Sequence, residues 1–152
     1  MATRFTFKLD AVLEQRKHAE HQRQREMATA QQKVLRLQAE LDAMAAVKRA
    51  SSADLRAAGR RISAATLAAH QRFAAAMREK QATLGRQIAE AQLEMDVAQS
   101  ALLEAAKQRK VMEKLREREQ TRWQAAQRRR EQVEADEVTA RAAREAALDA
   151  VI

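Results

Sequence analysis

His18 and His21 sit three residues apart, and His70 is the third and last histidine of the chain. On a helix, i and i+3 share a face, so His18 and His21 could offer two imidazole ligands to a metal ion. No carboxylate or third histidine completes a recognisable motif around them, and solvated polar positions explain them better. No GxxxxGK[ST] phosphate loop occurs, so the chain is not read as an ATPase. No Ser/His/Asp grouping can be assembled either. The residues predict no catalysis, no cofactor and no metal. What remains is contact chemistry. "TRWQAAQRRREQ", residues 121–132, holds the single Trp, Trp123, among four arginines. Basic residues around an aromatic suit nucleic acid, a partner protein or plain packing. Arg128, Arg129 and Arg130 are consecutive, so on a helix they spread over about 200° and cannot form one patch. Acidic residues follow at once, and stacking aromatics are missing, which argues against nucleic acid.

The elements that would carry these residues follow from composition. Of 152 residues, 46% are hydrophobic but only 3% aromatic, with much of the remainder alanine. Alanine buries little area, so a compact core is disfavoured. There is no proline and there are only two glycines, Gly59 and Gly85. A chain of Ala, Arg, Gln, Glu, Leu and Lys with almost no breakers reads as long helix. No alternating run of β-branched residues reads as a strand. The absence of cysteine excludes a disulfide scaffold. No run of about 18 apolar residues spans a membrane, and "MATRFTFKLDAV" lacks the apolar core of a signal peptide. The expectation is a cytoplasmic, all-α protein.

Periodicity organises the helix. Met27, Ala30, Val34, Leu37, Leu41 and Met44 follow the alternating three- and four-residue spacing of a coiled-coil seam. Extended backward, this frame reaches Leu9 and Leu13 but crosses Arg16, Glu20 and Arg23. A second frame runs through Leu67, Ala74, Met77, Leu84, Ile88, Ala91, Met95, Ala98, Leu102, Ala105 and Met112. It continues, increasingly polar, through Trp123 to Ala140. Between the frames, Gly59 can end one helix and Ser63 can cap the next. The pattern predicts a single all-α domain over residues 1–152, a long antiparallel two-helix coiled-coil hairpin with a C-terminal helical overhang. Arm one covers about 5–56, the turn about 57–63 and arm two about 64–148. One continuous dimerising helix is the alternative. With a turn near residue 60, position i meets roughly position 120 − i at equal rise per residue. Leu41 then lies near Glu79, Val34 near Arg86 and Leu9 near Val111. Beyond about Arg116 the second arm has no intramolecular partner, which places Trp123 on the overhang as a partner contact or a dimer-seam residue.

Charge sharpens the picture. The formal net charge is +8, yet residues 48–86 hold nine Lys or Arg against Asp54 and Glu79. That segment carries +7, and the rest of the chain is nearly neutral. From Leu115 onward eight basic residues face eight acidic ones. The Trp123 stretch is therefore ampholytic, which weakens a nucleic-acid reading there.

Three stretches carry a family resemblance. "FTFKLDAVLEQRKHAE" resembles the opening of the FliJ family, with its aromatic-x-aromatic-x-leucine pattern running into a charged helix. Gly59, Ile62, Ser63, Leu67, His70, Gln71, Arg72, Phe73 and Met77 are similar to that family's post-turn pattern, although His70 replaces its usual aromatic. "MEKLREREQTRWQAAQRRREQVEADEVTA" resembles its late helix. The resemblance implies a coiled-coil stalk of the flagellar type III export ATPase. It implies binding to the hexameric export ATPase, bridging to the export gate membrane protein, and escort of export chaperones. The location implied is cytoplasmic, peripheral at the inner-membrane export apparatus. Phe73 and Met77 match the family's gate-contact positions. Phe5, Leu9, Leu13, Met112 and Trp123, at the paired helix ends, are the expected ATPase contacts. No nucleic acid is expected. The alternatives are an injectisome type III secretion stalk protein, a basic coiled coil associated with nucleic acid, and a generic dimeric tether.

Overall fold

The computed structural model describes residues 4–151. Helix α1 spans Asp10–Ala58 and helix α2 spans Ala64–Asp149, 49 and 86 residues, with no strand among the described residues. They form an antiparallel hairpin. Helices of this length follow from the absence of proline, and Asp10 and Arg56 in the first and last turns of α1 complement its dipole.

The break between the helices is chemically specific. Gly59 adopts φ 55°, the left-handed conformation that ends a helix and that a Cβ disfavours. Gly59–Arg61 form a single 3-10 turn, and Ile62 is extended at φ −84°, ψ 135°. Ser63 then caps α2: its Oγ accepts a hydrogen bond from the Thr66 amide at 3.1 Å. Gly85 lies inside α2 without interrupting it.

The hairpin comprises two packed regions. In the first, residues 19–105, Val34, Leu37, Leu84 and Ala91 are buried, with Leu41, Met44, Ile88 and Met95 packed against them. These are frame residues of both arms, so the heptads do form the seam. Leu67 departs from the frame: it is 39% exposed. Across the seam Lys33 Nζ donates to Glu94 Oε2 at 2.9 Å, and Ser51 Oγ hydrogen-bonds His70 Nδ1 at 3.2 Å.

The second region joins residues 4–18 to 106–151. Leu13 is 2% exposed and Phe7 is 5% exposed. Arg16, a charged intrusion in the seam frame, is accommodated because its Nη1 donates to Gln108 Oε1 at 2.6 Å. A long polar side chain in a thin seam needs only a partner, since its stem can pack while its head reaches the edge.

Two sequence expectations are corrected. The pairing register is shifted: Ser51 meets His70, one residue beyond the 120 − i partner, and Lys33 meets Glu94, seven beyond. The turn is centred near residue 61 rather than 60, and long side chains add reach. Val34 accordingly clusters with Leu84 and Ala91, whereas Arg86 is exposed and bonds Thr83. Leu9 and Val111 are 39% and 65% exposed, so neither buries the other. The second correction concerns the overhang. Trp123 has an intramolecular partner, Phe5, and residues of α2 remain half-buried as far as Gln127. Residues 4–7 are not helical, and an extended chain covers about 3.3 Å per residue against 1.5 Å in a helix. The non-helical N-terminal segment therefore reaches further along α2 than a helix of equal length. Every described residue from Arg128 onward is exposed, so the unpaired helix begins there.

Candidate functional site

The N-terminal segment builds the first candidate surface. Phe5 and Phe7 are two residues apart in the non-helical N-terminal segment. Phe7 is buried, and Phe5 is half-buried against Trp123, with ring centroids 5.9 Å apart and planes tilted by 54°. That geometry lies within the favourable range for aromatic pairs. A turn closes the segment, the Asp10 amide donating to the Phe7 carbonyl at 3.2 Å. The aromatic clasp answers why a chain so poor in aromatics keeps an indole on an arginine-rich helix: Trp123 seats the chain's own N-terminal segment.

The expected ATPase contacts therefore differ in their availability. Phe5, Met112 and Trp123 are half-buried, and Leu9 is exposed. Leu13 is core, supporting this end from beneath. Beside it lies a shallow polar recess lined by Leu13, Lys17, Glu113, Arg116, Glu117 and Gln120. Within the recess wall, Arg109 Nη1 holds Glu113 Oε2 at 2.7 Å, one turn along α2. Phe7 was not among the expected contact residues, although the aromatic-x-aromatic pattern with Phe5 contains it.

The second candidate surface lies near the turn. Phe73 lines an open groove with Ser51, Thr66, Ala69 and His70. Phe73 lies one position outside the seam frame, yet its ring is half-buried, because the position before Ala74 borders the seam rather than facing away from it. Met77 is half-buried in the seam frame, and the two share one helix face. Around them Arg72, Arg78 and Lys80 are exposed, giving apolar anchors a basic rim. His70 uses its ring to join the helices through Ser51. The two sites belong to different packed regions and share no residue.

The other histidines stand apart from both. His18 and His21 are exposed, and His21 Nδ1 lies 3.2 Å from Gln24 Oε1. No group of three or more potential metal ligands occurs among the described residues. No helix among them is long and apolar enough to cross a membrane. The chemistry on offer at both surfaces is that of contact: rings and thioethers, framed by cations near the turn and by mixed charge at the clasp.

No match to the chain was found among curated proteins or solved structures. The family model described as flagellar FliJ protein matches residues 5–148, from the first ring of the clasp almost to the end of α2. With that span added to the hairpin, its glycine turn and its aromatic N-terminal segment, the chain belongs to the FliJ family of flagellar type III export proteins.

Proposed function

We propose that this chain is a structural, non-enzymatic stalk of the flagellar export apparatus, binding the hexameric export ATPase and bridging it to the membrane export gate. The ATPase contact falls on the clasp end: Phe5, Leu9, Met112 and Trp123, with Leu13 as their packed support. The gate contact falls on Phe73 and Met77. The same molecule escorts export chaperones and works in the cytoplasm, peripheral to the inner membrane. The observation that carries this reading is the Phe5–Trp123 pair, which leaves two aromatic rings partly open at one end of the paired helices. Half-buried aromatics of this kind are common anchors of protein interfaces.

The test uses the single Trp as reporter. Adding the purified export ATPase should shift Trp123 emission and retain the chain on the immobilised ATPase. A Phe73→Ala variant should keep that interaction but lose about ten-fold in gate affinity, as removal of an interface anchor does. If the ATPase leaves Trp123 emission unchanged and does not co-purify, the stalk assignment fails. Strong quenching by DNA at physiological salt would instead favour the nucleic-acid reading.

A further inference from the structure

Beyond the Arg72, Arg78 and Lys80 rim of the Phe73 surface, the strongest charge asymmetry of the molecule has no role in the contacts proposed so far. Residues 48–86 carry +7 of the net +8, and none of their nine cations forms an ion pair among the described residues. Three of them crowd the break between the helices: Arg56 in the last turn of α1, and Arg60 and Arg61 in the 3-10 turn. All three are exposed. Arg56 makes only a long bond, 3.4 Å, to the Ser52 carbonyl of its own helix. At this tip the C-terminus of α1 and the N-terminus of α2 bring helix dipoles of opposite sign together. Their fields largely cancel, so the potential there is set by the arginine side chains.

We propose that the turn end docks on a bilayer surface bearing anionic lipid headgroups. The distribution of the charges selects this occupant. Arg72, Arg78 and Lys80 are six and two residues apart on α2, which places them at widely separated angles around the helix. Arg72 lies about 12 Å and Lys80 about 24 Å along α2 from its start, so these cations ring the helix behind the turn instead of forming a stripe, and the arginines of the turn alone lie at the tip. A protein interface needs a desolvated apolar centre, and residues 59–63 of the turn offer only one apolar side chain, half-buried Ile62. A nucleic-acid groove needs a track of cations with stacking rings, and no ring occurs between Lys48 and His70. A plane of diffuse negative charge needs neither. It attracts every cation that comes within a Debye length, about 10 Å at 0.1 M salt. The docking is electrostatic and shallow, without insertion. It goes beyond the export reading and does not depend on it, since purified chain and lipid suffice to test it.

The test is co-sedimentation of the full chain with vesicles of phosphatidylcholine alone, or with about 30% phosphatidylglycerol, a fraction chosen to give an anionic surface potential. The expected result is binding to the anionic vesicles only, lost at about 0.5 M salt, where screening shortens to a few ångströms. R56Q/R60Q/R61Q should weaken partitioning about 100-fold, roughly five-fold for each arginine removed from the surface. R128Q/R129Q/R130Q removes the same charge from the exposed end of α2 and should leave partitioning within about two-fold of the parent, because those cations lie among acidic neighbours. Circular dichroism of both variants should show unchanged helix content. No binding to anionic vesicles at low salt would overturn the proposal. So would equal losses in the two triple variants, which would reduce the effect to net charge. Preferential, tip-dependent binding of duplex DNA or of a soluble acidic polypeptide over the vesicles would transfer the tip to that partner and overturn it as well.

Discussion

Phe5 and Trp123 are each other's partners across the clasp, and the indole is the chain's single Trp. Its emission therefore reports one place in the molecule. Phe5→Ala should shift that emission to longer wavelength and cost about 1 kcal/mol of stability, the worth of an aromatic pair beyond its buried area. Leu13→Ala should cost more, about 3 kcal/mol by urea denaturation, since a side chain 2% exposed leaves a cavity when truncated. The contrast separates support from contact. Leu13→Ala should loosen the whole end, whereas Phe5→Ala should chiefly change what Trp123 touches. Phe5→Ala leaving both stability and emission untouched would mean that the N-terminal segment does not lie on α2 in solution.

At the scale of elements, the two glycines make opposite predictions. A Cβ on Gly85 meets nothing within 4 Å, and the residue is helical, so Gly85→Ala should stabilise by about 1 kcal/mol. A Cβ on Gly59 also meets nothing within 4 Å, but φ is positive there. Gly59→Ala should therefore destabilise by about 1 kcal/mol from backbone conformation alone. Thermal melts of the two variants should move in opposite directions. The helices themselves were legible because seam spacing and capping are local: Val34, Leu37, Leu84 and Ala91 were named by spacing, and Gly59 and Ser63 by their chemistry. Register was not, because it is set by the centre of the turn and by side-chain reach across the seam, as Lys33 and Glu94 show. The clasp was hidden for a different reason. The contact of Phe5 with Trp123 depends on a few residues being non-helical, and heptad counting assumes a constant rise.

For the molecule as a whole, the pairing of the arms is checked by cysteines at Lys33 and Glu94 joined by a short bifunctional reagent. Crosslinking within one molecule, independent of concentration, is the expected outcome, and products only between molecules would replace the hairpin by a dimer of long helices. Truncation after Gln127 should leave the melting of the paired helices unchanged, since every described residue beyond it is exposed and supports no packing. The cross-arm contacts also differ in how much chain they enclose. Ser51 and His70 are 19 residues apart, Lys33 and Glu94 61, and Arg16 and Gln108 92. Phe5 and Trp123 enclose the most. Closing a loop costs more entropy the longer it is, so contacts near the turn form first and each shortens the loop left for the next. The folding pathway is then a zipper that starts beside Gly59 and ends with the aromatic rings. Destabilising changes near Ser51 and His70 should slow folding, whereas changes at Phe5 or Trp123 should leave its rate alone and speed unfolding. The clasp is the last part of the chain to fold and the first to come undone.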